Sequence, residues 1–300
     1  MSKRQKTQTY DWKLTLSTPQ TFKTLLAIVE PTVANVPFQV CMDTSEEGGA
    51  PFTGLRLDAM NSSKVCMVKA AYECDVQVSD TLRNEMFCVD TDMLRNLLRD
   101  VQASHEIEMI RYTNSASVTI NTHDMSDPTN WSVSTIQLMD VDFNTIDLDM
   151  NDITFKYVVE MELDRLKHVC RMVNSIRSTL IEFRVDETEA PRHHFFSITA
   201  DGEGATIRKV HQSSAVADGD VQHITVVHDT QVACEAVDTQ DLLPKFHGRF
   251  PIIYMNGVLK SMDRQSIQLF LGQDLPLVMS YGLGSESSYI KILLAPRDDE

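Results

Sequence analysis

The side chains best suited to chemistry in this 300-residue sequence are basic residues that recur about one helical turn apart. Arg95 and Arg99 are four residues apart, and the segment 165–171 contains two arginines, a lysine and a histidine. Residues three or four apart share one face of a helix. A cationic helix face can contact phosphates without reading bases, but an ordinary solvated face has the same pattern, so the spacing leaves both interpretations open.

Patterns typical of catalysis or metal binding are weak in comparison. The glycine pairs at 202–204 and 282–284 lack the third glycine and the lysine of a phosphate loop, so they predict hairpin turns. His193 and His194 are adjacent on a predicted strand and therefore point to opposite faces. No nucleophile with a neighbouring base is recognisable. We predict a protein that is not an enzyme and that uses no cofactor or metal.

The charge balance opposes indiscriminate binding to nucleic acid. The chain has 27 basic and 43 acidic residues, a net charge of −16. If the cations are concentrated on helix faces, positive potential is confined to one surface and the remaining surface is acidic. Such a distribution suits a protein that surrounds DNA loosely.

Composition and length indicate a folded protein of about two average domains, with 42% apolar and 23% charged residues. The six cysteines show no CxxC spacing, which predicts reduced and mostly buried thiols. No apolar run approaches the roughly 18 residues that a membrane span needs. We expect an intracellular protein with no membrane segment.

The elements that must position the cations are few. Most of the chain alternates like β-strands, whereas four segments carry a helical apolar stripe, at residues 19–29, 91–101, 162–173 and 251–262. Thr18 is the predicted N-cap of the first helix, and Pro19 is its first residue. Two helices fall in each half of the chain in the same order, which predicts an internal duplication.

The predicted fold class is α+β, with two similar domains joined by a connector. Residues 1–10 are predicted to be a disordered basic arm, and residues 11–138 form the first domain. Residues 139–155 are acidic and are predicted to be an extended connector. Residues 156–300 form the second domain.

Four motifs resemble those of the proliferating cell nuclear antigen (PCNA) family of DNA sliding clamps. The segment 137–148 is similar to the family's interdomain connecting loop, 254–260 to its Y-[LM]-N-x-x-x-K helix, and 275–300 to its C-terminus. The family pattern L-x-x-M-[DN]-S-S-x-V is matched at Leu57, Met60, Asn61, Ser62, Ser63 and Val65. The motifs follow the family's order along nearly the whole chain.

This resemblance implies a clamp fold with antiparallel sheets outside and two helices per domain lining an inner face. Three chains would close into a ring around duplex DNA, through edge strands at 131–138 and 205–210. The candidate contacts to DNA phosphates, by match and by charge, are Lys23, Arg95, Arg99, Lys167, His168, Arg171 and Lys260.

The resemblance also implies a docking groove beneath the connector. Its occupants would be short PIP-box-type peptides from a DNA polymerase and from other partners, and a clamp loader would place the ring on DNA. The matched walls of the groove are Met60, Val65, Met67, Phe143, Ile146, Leu148, Pro276, Leu293, Ala295 and Pro296.

Some features depart from the family pattern. Glu30 lies where relatives often carry a lysine, and the acidic segment 43–52 is longer than the family's turn. These departures suggest a divergent source such as a large DNA virus, with action in the nucleus or at the site of viral DNA replication. Two alternatives with the same fold are a monomeric viral processivity factor and a subunit of a heteromeric checkpoint clamp.

Overall fold

The computed structural model describes residues 9–44, 51–79, 85–140, 153–188, 194–218, 221–226 and 242–297. Within these ranges the chain forms eighteen β-strands and four α-helices. The helices are α1 (Pro19–Val29), α2 (Thr91–Leu97), α3 (Leu163–Ser175) and α4 (Ile252–Leu259). The predicted sheet-rich α+β class is therefore confirmed.

The chain divides into two compact units. Unit 1 comprises Met1–Met60, Val68–Ile146 and Gly282–Ile290, and unit 2 comprises Asn61–Met67, Asp147–Tyr281 and Lys291–Glu300. The boundaries at residues 138 and 156 stay a prediction. The predicted arm lies almost wholly outside the described residues, as do residues 141–152 of the predicted connector.

Unit 1 contains two groups of hydrogen-bonded strands. One has the order β5-β1-β7-β8-β9, and the other has the order β4-β3-β2-β6. The strands are β1 (Tyr10–Leu16), β2 (Asn35–Thr44), β3 (Phe52–Met60), β4 (Cys66–Glu73), β5 (Asp75–Val78), β6 (Met86–Asp90), β7 (His105–Tyr112), β8 (Ser117–Asp124) and β9 (Trp131–Gln137).

Unit 2 repeats this plan. Its strand order is β15-β11-β12-β13-β14-β10-β16-β17, and most of the next strand, β18, belongs to it. The strands are β10 (Tyr157–Glu162), β11 (Leu180–Thr188), β12 (His194–Gly202), β13 (Ala205–Asp218), β14 (Val221–Val226), β15 (Leu242–Pro251), β16 (Ser266–Leu271), β17 (Leu277–Gly282) and β18 (Tyr289–Leu294).

The two units differ at β5 and its counterpart β14. Strand β5 pairs antiparallel with β1, whereas β14 pairs parallel with β10. In unit 1 only Cys74 separates β4 from β5, so the chain keeps its direction. In unit 2 β14 pairs antiparallel with β13, so the chain has reversed before it reaches β10. This reversal explains the parallel pairing.

The helix predictions are confirmed in position, with three corrections at their ends. Helix α4 ends at Leu259 instead of Met262, and Lys260 is its C-cap residue. Helix α2 ends at Leu97 instead of Val101, because Leu98 leaves the helical conformation at φ −93° and ψ 2°. Thr18 makes no side-chain cap bond; its Oγ1 lies 2.8 Å from the Tyr72 hydroxyl instead. Asp90, which the apolar stripe does not predict, caps α2 by accepting a bond from Met93 N at 2.7 Å.

Each unit is built around clustered aromatic side chains. In unit 1 the Phe87 ring lies 4.7 Å from the Trp12 ring and 5.4 Å from the Phe38 ring. In unit 2 the centre of the Phe183 ring lies 5.9 Å from that of Phe196 and 6.1 Å from that of Phe250. Gly248 is the residue opposite Phe183 on the neighbouring strand. A Cβ on Gly248 would lie 2.9 Å from the Phe246 ring, so a larger residue would require that ring to move. These cores fix the sheets on which the helices rest.

The predicted hairpins at the glycine pairs are also confirmed. Gly202 pairs directly with Ala205, and Gly204 has φ +77° within that turn. Gly284 has φ +114° between β17 and β18. Glycine is the residue that adopts positive φ without strain, which explains its place in both turns.

Candidate nucleic-acid interface

The helix pair of unit 2 is antiparallel, and two contacts fix its register. Lys167 Nζ on α3 donates to Met262 O beyond the end of α4, at 2.6 Å. Further along α3, Asn256 Nδ2 donates to Asn174 Oδ1 at 2.8 Å. Arg171 lies between these two contacts on α3, and it is therefore level with the last turn of α4.

Arg171 and Lys260 are the exposed cations at that level. Both side chains are exposed, and Lys260 is the C-cap residue of α4. His168, one turn before Arg171 on α3, is exposed as well. Across the described residues no carboxylate pairs with any of the three. Unit 2 therefore presents two exposed cations, Arg171 and Lys260, that are available to an anionic ligand, with the exposed His168 one turn away on α3.

The helix pair of unit 1 has the same antiparallel arrangement. Lys23 Nζ on α1 donates to Arg99 O at 2.9 Å and to Val101 O at 2.8 Å. At the other end of α1, Glu30 forms an ion pair with Arg95 of α2. Arg99 lies 3.5 Å from Asp100, with both side chains exposed.

These contacts correspond one to one between the units. Helix α3 begins 144 residues after α1 (163 minus 19), and α4 begins 161 residues after α2 (252 minus 91). By these offsets Lys167 and Met262 are the counterparts of Lys23 and Val101. The pair Glu30–Arg95 corresponds in the same way to Asn174–Asn256. The duplication therefore extends to the side chains that lock each helix pair.

The seven predicted phosphate contacts thus fall into two groups. The amino groups of Lys23 and Lys167 bind main-chain carbonyls, and the Arg95 guanidinium binds Glu30. His168 and Arg171 are exposed on α3, and Lys260 is exposed at the C-cap of α4. Arg99 is exposed in the turn after α2, beside Asp100. Sequence periodicity places all seven off the apolar stripes but does not distinguish these groups.

A basic residue outside the predicted helices lies in the loop 61–65 of unit 2. Asn61 Oδ1 accepts bonds from Val65 N at 2.9 Å and Cys66 N at 3.0 Å, which closes the loop. The Ser63 hydroxyl lies 2.9 Å from the Tyr254 hydroxyl of α4. Lys64, between them, is exposed with φ +57°. Lys64 stands at the unspecified position of the matched motif, so neither helix periodicity nor the motif singles it out.

The turn that follows α4 is held by Tyr281. Its hydroxyl accepts bonds from Asp263 N and Arg264 N and donates to Asp263 Oδ1 at 2.6 Å. Burial and the hydrogen bond to Asp263 raise the pKa of Tyr281, so the hydroxyl keeps its proton. Tyr281 thereby fixes the chain directly after Lys260 and Met262.

The predicted groove residues differ in exposure. Val65, Pro276 and Ala295 are half-buried, and Ala295 N donates to Val65 O at 2.9 Å. Met67 and Leu293 are each 3% exposed, so they offer little surface to a partner. Met60 is half-buried in unit 1, and Pro296 is exposed in unit 2. Phe143, Ile146 and Leu148 lie outside the described residues.

A groove of about 390 Å³ lies in unit 2 beside the described end of the chain. Arg297 N donates to Arg249 O at 2.9 Å, which holds the chain end against β15. Pro296 lines the groove, together with Phe246, Phe250 and the turn 272–275. Among the described residues, Pro296 is the predicted wall residue that lines this groove.

Each unit has a strand edge that pairs with no other described strand. Strand β9 pairs with β8 on one side and ends its strand group, and Trp131 and Val133 on it are 61% and 53% exposed. In unit 2, β14 pairs with β13 only from Ser213 onward, so among the described strands residues 205–212 have one neighbour, β12. Open edges of this kind are the positions where another chain can add a strand.

The described cysteines are free thiols. Cys41, Cys66, Cys88 and Cys170 are buried, and Cys74 is partly exposed. Burial raises the pKa of Cys170 to about 12, and burial with the nearby Asp75 raises the pKa of Cys74 to about 12. Cys74 and Cys170 are therefore protonated at neutral pH and are poor nucleophiles. In the described part of the chain, no helix has the length and apolarity of a membrane span.

Comparison with known proteins identifies the fold. No family model matches the sequence. A solved structure of PCNA from Thermococcus kodakaraensis matches with a TM-score of 0.69 and 16% identity, covering 95% of this chain and 100% of that one. A proliferating cellular nuclear antigen structure from Entamoeba histolytica matches with a TM-score of 0.71 and 14% identity, covering 96% and 100%.

The fold that these units and their helix pairs define is that of a DNA sliding clamp. Both matched structures are PCNA, so the chain has a PCNA-like clamp fold over nearly its whole length. The resemblance drawn from the motifs is confirmed at the level of the fold.

Proposed function

We propose that this protein is a DNA polymerase processivity factor, a sliding clamp that encircles duplex DNA without reading its sequence. The observation that carries the proposal is the exposed cation set of α3 and α4, on a chain whose net charge is −16 and whose fold is that of PCNA. Cations held on a rigid helix pair supply weak and mobile phosphate contacts. An encircling ring needs no tighter grip, and it needs no catalytic group.

The proposed assembly is a homotrimer closed head to tail. The open edge of β9 in one chain would pair with residues 205–212 of β13 in the next. Pairing would satisfy the free backbone groups and cover Trp131 and Val133. Head-to-tail contacts of this kind close into a ring when the rotation between subunits allows it.

Replication and repair proteins would dock on the clamp through PIP-box-type peptides, and a clamp loader would open it. The half-buried set Val65, Pro276 and Ala295 in unit 2 supports this docking site. Replacing Ile146 and Leu148 with alanine should weaken peptide binding without changing the assembly. We place the protein inside the cell, in the nucleus or at the site of viral DNA replication.

The test of the assembly is the molar mass of the particle by size-exclusion chromatography with light scattering. We expect three chains, and we expect Val133→Asp to yield monomers because it places a charge at the paired edge. Met125→Asp is the matched control, since Met125 is 67% exposed and precedes β9. A monomeric unmodified protein would favour the monomeric processivity factor. A particle that forms only with other clamp chains would favour the heteromeric checkpoint clamp.

The test of the function is primer extension by a DNA polymerase on a long template. The unmodified clamp should lengthen the products made in one binding event. Arg171→Glu with Lys260→Glu should abolish that effect and leave the assembly intact. Full stimulation by the double variant would remove α3 and α4 from the proposed DNA-contacting surface.

A further inference from the structure

The groove beside the described end of the chain, the chain-end groove, has three walls. They are residues 246–250 of β15, the turn 272–275 between β16 and β17, and residues 296–297. All three belong to unit 2. The volume of about 390 Å³ lies within the range that is usual for ligand-binding clefts. The groove is therefore large enough to hold a small ligand or a few residues of a partner.

This groove lies where the two units differ in side-chain size. Gly248 on β15 is opposite Phe183, as Phe87 on β6 is opposite Phe38, and the two positions are 161 residues apart (248 minus 87). In unit 1 the Phe87 ring packs on the Phe38 ring at 5.4 Å, whereas Gly248 has no side chain. The Phe246 ring leans over Gly248 instead and forms part of the groove. The wall along β15 is thus specific to unit 2.

The groove adjoins the proposed docking site along the chain. Pro276 directly follows the turn 272–275, and Ala295 directly precedes Pro296. Ala295 N donates to Val65 O at 2.9 Å, which fixes the chain just before it enters the wall of the groove. A peptide bound at Val65, Pro276 and Ala295 would therefore reach the groove with a few flanking residues.

The lining of the chain-end groove is cationic, although the chain has a net charge of −16. The lining contains Arg249, Arg297 and His247, and the carboxylate among its described residues is that of Asp274. Arg249 Nε donates to Glu182 Oε2 at 2.9 Å. His247 and Arg297 are exposed, and in the described part of the chain no carboxylate pairs with either. Their charge is complementary to that of an acidic ligand.

We infer that the chain-end groove takes an acidic segment that flanks the docked peptide of a partner protein, and that Arg297 and His247 select this segment. The inference rests on the proposed docking function and specifies the chemistry of the partner. Apolar anchors of the peptide would occupy the docking site, and carboxylates beside them would meet the Arg297 guanidinium. Exposed charge pairs add little affinity but discriminate between partners.

The experiment measures binding of two fluorescent peptides to the full chain by anisotropy. Both peptides carry one aliphatic and two aromatic anchors. One has glutamates on both sides of the anchors, and the other has glutamines there. At low salt the glutamate peptide should bind about fivefold tighter, and the difference should disappear at high salt, where exposed charges are screened. The net charge of −16 by itself predicts the opposite order, so the result separates a local site from the general field.

Two substitutions in the groove should change this preference in opposite directions. Arg297→Ala should remove most of it and keep the bond to Arg249 O, because the donor of that bond is the main-chain nitrogen. Asp274→Asn should increase it about twofold, because it removes a carboxylate from the lining. Asparagine also tolerates the left-handed conformation at φ +58°. Arg264→Ala is the matched control, since Arg264 is an exposed arginine of unit 2 outside the groove.

The outcomes separate this inference from the proposed function. If the two peptides bind equally, or if Arg264→Ala acts like Arg297→Ala, the groove does not select acidic segments and the inference is wrong while the docking function stands. If neither peptide binds but the protein stimulates a polymerase, docking and the inference both fail and the processivity function stands.

A further variant tests whether the occupant is a partner. If the preference appears only after residues 298–300 are removed, the acidic end of the chain itself occupies the groove, and the inference of a partner segment is wrong. Melting curves of each variant exclude loss of folding as the cause.

Discussion

Lys167 and Arg171 are one turn apart on α3, and we predict that they affect different properties of the protein. In Lys167→Met the 2.6 Å hydrogen bond to Met262 O is removed, whereas the apolar stem of the side chain is kept. Hydrogen bonds from charged donors contribute about 1.5–3 kcal/mol. Lys167 is half-buried, so we expect the lower end, about 1.5 kcal/mol, since water partly replaces the missing bond.

The measurement is urea denaturation, with thermal melting as a second readout. For a unit of about 150 residues, a destabilisation of about 1.5 kcal/mol corresponds to a fall in Tm of about 3–6 °C. Arg171→Met is the matched control: it removes a cation from the same helix but no hydrogen bond among the described residues, so stability should change by less than about 0.5 kcal/mol. DNA affinity should show the reverse order, with a decrease in Arg171→Met and little change in Lys167→Met.

Either of two results would refute this division of roles. If Lys167→Met unfolds at the same urea concentration as the unmodified protein, the bond to the carbonyl contributes nothing to stability. If the two substitutions weaken DNA binding equally, Lys167 contacts phosphate directly. Lys23→Met should repeat the stability decrease in unit 1, because Lys23 binds two carbonyls in the corresponding place.

Three further predictions concern packing, pH and thiol chemistry. Gly248→Ala should destabilise unit 2 by about 1–3 kcal/mol in denaturation, because its Cβ would meet phenylalanine rings at 2.9 and 3.1 Å. Gly282→Ala is the control, since nothing lies within 4 Å of its added Cβ. Bonds from the Ser126 hydroxyl and amide lower the pKa of Asp124 to about 2, so its stabilising effect is present above pH about 4 and disappears as the pH falls towards 2. Ser126→Ala should raise that pKa in an NMR titration, and an unchanged value would contradict the assignment. Cys170 should react with a thiol reagent at neutral pH only on unfolding, because burial raises its pKa to about 12.

The helices are predicted well from sequence because each carries its own signal. The stripe Phe22, Leu25, Leu26 and Val29 predicts the buried face of α1, and all four side chains are buried. An apolar stripe shows only which face of a segment packs on a core, and not where the helix ends. It therefore predicts the C-terminal end of α2 less well. Local sequence assigns the hydroxyl of Thr18 to capping, but Tyr72, distant in the chain, competes for it.

The α+β class, the duplication, the hairpins and the family resemblance follow from the amino-acid order alone, because periodicity, glycine placement and motif order are local properties of the chain. The role of each cation follows only from how the helices pack. Lys167 and Arg171 lie on the same polar side of α3, yet one binds Met262 O and the other is exposed. Their roles differ because the carbonyl that Lys167 binds is 95 residues away in sequence and is brought to it only by the packing of α4 against α3.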